Sequence, residues 1–323
     1  MILDGKVILI TGGTGSFGKK FVKIALTNYK PKKLIIFSRD EWKQSEMASE
    51  FKDDRISYFV GDVRDHDRLW RAFDGVDYVI HAAALKQIPS CEYNPFEAIQ
   101  TNVFGAKNVI DAAIDRGVKK IIALSSDKAV NPINLYGATK LCSDKLFVAG
   151  NSYAGLKETR FSVVRYGNVI GSRGSVIPIF MKLREKKILP ITDMRMTRFW
   201  ITLEQGVDFV LDCLDCMKGG EIFIPKLPSM RVVDLARAIS PDCELEVMGT
   251  RPGEKLHEVM ISEDDSANVV EYDDYFVIQP SFQWWRKENV NGGKKVKDGF
   301  RYDSYSNEQW LSVPRLKELL CLS

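Results

Sequence analysis

The stretch Thr11-Gly12-Gly13-Thr14-Gly15-Ser16-Phe17-Gly18 constrains this chain more than any other. It follows a short apolar run, Val7–Ile10, and leads into Gly18–Thr27, where apolar residues recur at helical spacing. Glycine permits the tight passage from strand to helix, and its missing Cβ lets another group approach the backbone. The N-terminus of the following helix offers unpaired N–H donors and a partial positive charge. Strand, glycine turn and helix in that order start a βα unit, and the sequence repeats the alternation. Lys33–Phe37, Ile56–Val60, Tyr78–His81 and Lys120–Leu124 are further strand-length apolar runs, and helices are predicted over Asp67–Phe73 and Pro95–Arg116. Continuous apolar strands separated by helices indicate a parallel sheet covered on both faces. The expected fold class is therefore α/β, a Rossmann-type doubly wound parallel sheet.

After a sixth run, Ser162–Arg165, the pattern loosens. Gly167–Val176 is rich in Gly and Ser, Gly206–Met217 returns to a helix, Glu221–Ile224 to a strand and Val232–Ser240 to a helix, while residues 262–308 are polar, aromatic and irregular. This predicts a dinucleotide-binding domain over 1–168, its sheet completed by elements within 201–225, and a smaller substrate-binding lobe over 169–323. At 323 residues and 45% hydrophobic content the chain builds its core without staples. Its 46 basic and 43 acidic side chains give no nucleic-acid signature. Six sparse cysteines read as free thiols in a reducing compartment. Cys213 and Cys216 form a CxxC spacing inside a helix-like run, but no second pair completes a zinc site, and with three histidines in all no metal is expected. A polar Met1–Lys6, and no apolar stretch approaching the ~20 residues that span a bilayer, point to a cytoplasmic protein without membrane partners.

In this context the glycine turn predicts a dinucleotide phosphate site made by Gly12, Thr14, Gly15, Ser16, Phe17 and Gly18. The second strand ends at Phe37-Ser38-Arg39-Asp40, about 20 residues beyond the turn, where an adenosine ribose is read. An acidic residue alone there favours NAD. Arg39, with Ser38 before it and Lys43 after Asp40, offers donors to a 2′-phosphate, so NADP is the expected cofactor. Asp62 and Val63 after the third strand are expected at the adenine edge, and Ala82 after the fourth along the cofactor's path.

Tyr136 and Lys140 stand four apart, a spacing that puts both on one helix face. A nearby ammonium favours the phenolate and lowers a phenol pKa that is ordinarily ~10. A tyrosine tuned in this way can take a proton from a hydroxyl. The pair lies after Leu124-Ser125-Ser126, the carboxyl end of the fifth strand, where open α/β sheets place their ligands.

TGGTGSFG, HAAALK (His81–Lys86), SSDKAVNP (Ser125–Pro132) and YGATK (Tyr136–Lys140) resemble the extended short-chain dehydrogenase/reductases that act on nucleotide sugars. RYGNVIGSRGSVIP (Arg165–Pro178), MTRFW (Met196–Trp200) and GTRPGEKLHE (Gly249–Glu258) narrow the resemblance to the soluble, inverting UDP-N-acetylglucosamine 4,6-dehydratases that open the pseudaminic acid pathway. It runs nearly the full length, through Gln309-Trp310-Leu311-Ser312, whereas larger relatives carry membrane helices before this domain. Ordinary hexose dehydratases of the superfamily place Asp-Glu where this chain has Asp127-Lys128, and simple 4-epimerases have no acid/base pair there.

The resemblance implies oxidation at C4, loss of H5 and of O6 as water, and return of the reducing equivalents to C6. It implies Tyr136 as base toward the 4-hydroxyl, with Lys140 as its tuner and ribose anchor. Lys128 becomes the candidate base at C5, which requires its pKa to fall from ~10.4. Asp127 becomes either the acid toward O6 or the partner that sets the lysine's charge. Lys86 is implied in contact with cofactor and substrate, and Thr101 and Asn102 as substrate or support positions. Asn168, Val169 and Thr192 are implied near the substrate, and Arg173, Arg198 and Arg251 as donors to its phosphates. Phe199 and Trp200 read as lobe core. A homo-oligomer, formed through helices such as Pro95–Arg116 and Tyr136–Ala149, is also implied. The alternatives are a retaining dehydratase, a UDP-sugar 4-epimerase and a non-catalytic NADP-binding regulator.

Overall fold

The computed structural model describes residues 1–171, 176–281 and 292–321. The predicted alternation is present: β1 (Val7–Thr11), α1 (Ser16–Asn28), β2 (Lys33–Ser38), α2 (Glu41–Glu50), β3 (Ile56–Val60), α3 (His66–Ala72), β4 (Tyr78–His81), α4 (Ile88–Tyr93), α5 (Pro95–Ile99), α6 (Gly105–Arg116), β5 (Lys120–Ser126), α7 (Leu135–Tyr153) and β6 (Arg160–Tyr166). The second half adds β7 (Asn168–Val169), α8 (Val176–Leu183), β8 (Ile188–Ile191), β9 (Thr197–Ile201), α9 (Leu203–Cys216), β10 (Ile222–Pro225), β11 (Ser229–Arg231), α10 (Val232–Ile239), β12 (Glu244–Val247) and β13 (Val259–Ile261). It ends with β14 (Val269–Glu271), β15 (Tyr275–Ile278), β16 (Lys294–Lys295), β17 (Tyr302–Asp303) and α11 (Val313–Leu319).

Strands β3-β2-β1-β4-β5-β6-β10 lie side by side and parallel, and β15, β14 and β16 extend that sheet antiparallel beyond β10. The apolar runs are buried because helices flank the sheet, α1 beside α9 and α6 between α3 and α7. The sheet order reverses between β1 and β4, and the carboxyl ends on either side of that switch open into a cavity of about 750 Å³. A second, smaller core of Phe180, Leu189, Trp200, Met230, Leu235 and Leu316 holds the lobe that forms the opposite wall.

Three details depart from the sequence reading. The run Pro95–Arg116 is two helices joined by a π-helical turn, Gln100–Phe104, which buries Thr101 and Asn102. Helix α2 is unforeseen because only Gln44 and Met47 of its residues are buried, which leaves almost no apolar periodicity. Within 262–308, expected to be irregular, β14 and β15 form a hairpin whose Tyr272 N–H reaches the Tyr275 carbonyl at 2.8 Å across Asp273-Asp274. Runs of three and four residues are too short for alternation to announce them.

Candidate active site

The glycine turn fits a pyrophosphate. Gly12 has φ +66°, and a Cβ there would stand 2.9 Å from the Ala83 backbone two residues beyond β4, so the loop lies flat on its neighbour. The N-cap of α1, Gly15, offers no side-chain cap, which leaves the first N–H groups of the helix free for an anion. Gly12, Thr14, Gly15, Ser16, Phe17, Ser38, Arg39, Asp40, Lys43, Asp62, Val63 and Ala82 all line the cavity. Gly18 does not: it packs inside α1 against the Gly13 backbone, a packing position rather than a contact.

The expected 2′-phosphate donors already have carboxylate neighbours. Arg39 lies 3.6 Å from Asp62, and Lys43 is hydrogen-bonded to Asp40, which also caps α2 by accepting from the Lys43 N–H at 3.0 Å. Asp62 is engaged chiefly by Arg64, at 2.8 Å, rather than left open to an adenine edge.

The reaction centre is assembled by close packing of a short turn on a helix. Asn134 caps α7 by accepting from the Gly137 N–H at 2.8 Å, and its amide donates to the Gly253 carbonyl at 2.8 Å, which pins the 249–258 segment to the helix start. The turn Asp127–Ala129 then lies directly on α7, because Gly137 carries no side chain. A Cβ there would fall 2.1 Å from the Lys128 carbonyl oxygen. This packing brings Tyr136, Ser126, Asp127 and Lys128 together. Ser126 donates to Asp127 Oδ1 at 2.8 Å. Lys128 Nζ lies 3.0 Å from Asp127 Oδ1, 3.3 Å from Glu258 Oε1 and 3.3 Å from Asn168 Oδ1.

The charge states differ from the sequence expectation. Burial pushes the Lys128 ammonium down, but Asp127 and Glu258 outweigh it, so its pKa is raised and the lysine stands charged rather than neutral. Burial opposes the Asp127 charge, and Lys128 and Ser126 more than restore it, so the carboxyl is held below its usual range. Tyr136 is pushed up to about 12, burial outweighing the pull of Lys128. Lys140 does not pair with it here. Its ammonium donates to the Leu124 carbonyl at 2.7 Å and is lowered by burial against Asp144.

The substrate-side residues divide. Lys86, Thr101, Asn168, Val169, Thr192, Arg198 and Arg251 line the cavity. The Thr101 hydroxyl is buried with no hydrogen-bond partner among the described residues. Of the two roles expected for Asn102, substrate contact or support, its hydrogen bonds are those of support. Its amide is spent on the Leu85 backbone at 2.8 and 2.9 Å and on Thr139 at 3.0 Å, which fixes the loop after β4 to α7 instead of facing a ligand. Arg198 reaches the wall, but its donors are committed to the Thr197 and Leu256 carbonyls at 2.7 and 3.1 Å, with Glu258 at 3.7 Å, so it frames the site more than it reads phosphate. Arg173 lies outside the described residues. Trp200 is in the lobe core as expected and touches the cavity, whereas Phe199 packs into the main core, its ring 4.7 Å from that of Tyr302.

Sequence reasoning missed Glu258, Lys255 and Ser126. GTRPGEKLHE was singled out only as a motif, although its alternating charges ahead of the buried strand β13 were a usable signal. No helix among the described residues is long and apolar enough to cross a membrane.

A model of the polysaccharide biosynthesis protein family matches residues 8–280. The chain is 58% identical to the inverting UDP-N-acetylglucosamine 4,6-dehydratase of Campylobacter jejuni subsp. jejuni strain 81-176, over 99% of this chain and 98% of that one. It is 43% identical to a UDP-glucose 4-epimerase of Rickettsia felis, over 99% and 96%. Among solved structures, Pen from Bacillus thuringiensis superposes with a TM-score of 0.90 at 39% identity, covering 99% of each chain. DesIV, a dTDP-glucose 4,6-dehydratase of Streptomyces venezuelae solved with NAD and TYD bound, shares the fold with a TM-score of 0.70 at 22% identity, over 77% of this chain and 86% of that one.

Proposed function

The chain belongs to the polysaccharide biosynthesis protein family, and from that premise we propose that it converts UDP-N-acetylglucosamine to a UDP-2-acetamido-2,6-dideoxy-hexos-4-ulose with inversion at C5. The observation that carries this reading is the Asp127–Lys128 pair at 3.0 Å, buried beside Tyr136 in the cavity that begins at the glycine turn. A 4-epimerase needs the tyrosine but has no use for a second proton-transfer pair.

A nicotinamide dinucleotide fits the turn, held by the α1 N-terminus and by the residues at the ends of β2, β3 and β4. When bound, it supplies the oxidation at C4 and the reduction at C6. We infer NADP as the form used, from Arg39 and Lys43 at the ribose corner.

Tyr136 takes the proton of the 4-hydroxyl; its phenol, pushed up to about 12 in the free chain, must be lowered by the ligands that complete the site. A C4 carbonyl makes H5 acidic. Lys128 and Asp127 rest as an ion pair, so the lysine sheds a proton only once the bound ligands bring the two proton affinities together; Asp127, with Oδ1 3.0 Å away and Oδ2 without a partner among the described residues, is then the acceptor. One proton passed from Lys128 to Asp127 turns an ion pair into a neutral amine and a carboxylic acid. The amine takes H5 and the acid gives its proton to O6, which leaves as water. Return of one proton to C5, matching the one Tyr136 took from O4, balances the reaction, and delivery on the face opposite Lys128 inverts C5. Arg251, exposed at the cavity mouth, is the best-placed described arginine for the diphosphate.

Three further readings rest on the resemblance. They are supply of the pseudaminic acid pathway, a cytoplasmic location and a homo-oligomer, the last supported by Tyr93, Phe96, Phe104 and Tyr153 exposed along α4–α7.

The test is Lys128→Ala. Water loss should stop while NADP still binds, and a normal 4-keto-6-deoxy product from this variant would refute the assignment. The second reading, a 4-epimerase, is favoured by the 43% identical Rickettsia protein, and a product that keeps its 6-hydroxyl would establish it.

A further inference from the structure

Glu258 has no place in the residue roles set out so far, yet it is among the most deeply buried carboxylates of the chain, 2% exposed. It sits immediately before β13, held by its own N–H donating to Ser304 Oγ at 2.9 Å. Three cations from three segments face it: Lys128 at 3.3 Å, Arg198 at 3.7 Å and Lys255 at 4.0 Å. None of the three belongs to Glu258 alone. Lys128 is shared with Asp127, Arg198 with the Thr197 and Leu256 carbonyls, and Lys255 with the Val130 carbonyl. Its second oxygen, Oε2, has no hydrogen-bond partner among the described residues. A carboxylate kept out of water with one oxygen unsatisfied is costly, and what it receives in return is charge from the cations around it.

We propose that Glu258 is a positioning residue for Lys128: together with Asp127 it clamps the lysine amino group on the Asn168–Arg198 side of the cavity and sets how readily that group gives up its proton. The inference rests on the dehydratase reading, because that reading requires Lys128 to alternate between ammonium and amine. Two carboxylates stand within 3.3 Å of the amino group, Asp127 at 3.0 Å and Glu258 at 3.3 Å. Asp127 is the partner that can accept the lysine's proton, and Glu258 is the counter-charge that stays. The groups facing the cluster from the remaining elements are Lys86 after β4, Tyr136 on α7, and Arg198 and Lys255, so without Glu258 the lysine would be left among three cations and one carboxylate. The observed upward displacement of Lys128, to which Glu258 contributes, agrees with this geometry.

The experiment follows Lys128 itself. The protein is labelled with lysine carrying ¹³C at the ε position, the Lys128 signal is assigned by its loss in Lys128→Met, and its shift is titrated in the cofactor-bound protein without sugar. In the wild type the signal should hold still through the neutral range. In Glu258→Gln its midpoint should move to lower pH by about one unit or more, a tenfold change in the proton affinity of the amine. The acid limb of the pH profile for water loss should move the same way. Coincident titrations in the two proteins overturn the proposal. So does a wild-type midpoint well below the ~10.4 of a free lysine, a result that needs no variant to fold. If the glutamine variant does not fold, Glu258→Asp carries the comparison: it keeps the charge but withdraws it by a methylene, so turnover should fall with the profile nearly in place, and unchanged turnover overturns the clamp. The titration contains no sugar, so its outcome is independent of the substrate assignment. Appearance of reduced cofactor at 340 nm on adding UDP-N-acetylglucosamine tests that assignment separately.

Discussion

Gly137→Ala is a one-carbon change that probes how the site is built. The new Cβ would lie 2.1 Å from the Lys128 carbonyl and 3.0 Å from Pro132 Cβ. Restoring an ordinary contact requires the Asp127–Ala129 turn to retreat from α7 by about 1 Å. The stability cost is partly masked. Overpacking of this kind costs about 1–3 kcal/mol, while alanine in place of glycine inside a helix returns up to ~1 kcal/mol. The melting temperature should therefore fall only modestly. Turnover should suffer more, because displacing reacting groups by ~1 Å costs on the order of 10²-fold. Steady-state assays should show kcat falling by about that factor with KM for UDP-N-acetylglucosamine nearly unchanged, since the turn carries Lys128 and not the nucleotide contacts. Cofactor binding, measured by fluorescence titration, should be unaffected because the glycine turn is elsewhere. A variant with wild-type kcat would refute the claim that this packing sets the geometry of Lys128.

Two other outcomes follow from buried and charged groups. His81 is wholly buried against Thr11 Oγ1 at 2.8 Å, and burial, helped by Lys140, pushes its pKa down to about 3. The unfolded chain binds a proton at this histidine below ~6.5 and the folded chain does not until about 3, so stability should fall as the pH drops through that window, by about 2 kcal/mol between pH 7 and pH 5. Urea melts at the two pH values should show this loss, and His81→Leu should remove that component; an equal loss in the variant would contradict the attribution. At the ribose corner, Arg39→Ser should weaken NADP by roughly 10- to 100-fold, the worth of one charged hydrogen bond of ~1.5–3 kcal/mol, and leave NAD unchanged. Calorimetry with both cofactors checks it, and equal losses would remove the basis for NADP.

The parallel sheet and the phosphate turn were legible because they depend on local signals. Apolar runs such as Val7–Ile10 and Lys120–Leu124 have strand length, and the glycine turn stands at a fixed place between strand and helix. Tyr136, Lys128 and Asp127 were legible for the same reason, lying within ten residues at the end of one strand. Glu258 was not. It meets Lys128 across 130 positions of sequence, and although the charges of its own motif mark the segment, nothing local says which residue they face. The resting charge of Lys128 stayed open for that reason, since burial and neighbouring cations favour a neutral amine, Asp127 favours the ammonium, and the second carboxylate is not in view. For Asn102 the resemblance left substrate contact and support both open, and only the π-helical turn, with its amide on the Leu85 backbone, decides for support.

The central claim is elimination of water between C5 and C6 with inversion at C5, and proton NMR of the product formed from UDP-N-acetylglucosamine in D₂O tests it most directly. The predicted product is a 4-ulose with a C6 methyl group, deuterium at C5 and the C5 configuration opposite to that of the substrate. A sugar that keeps its 6-hydroxyl and its C5 proton, changed only at C4, would contradict the account.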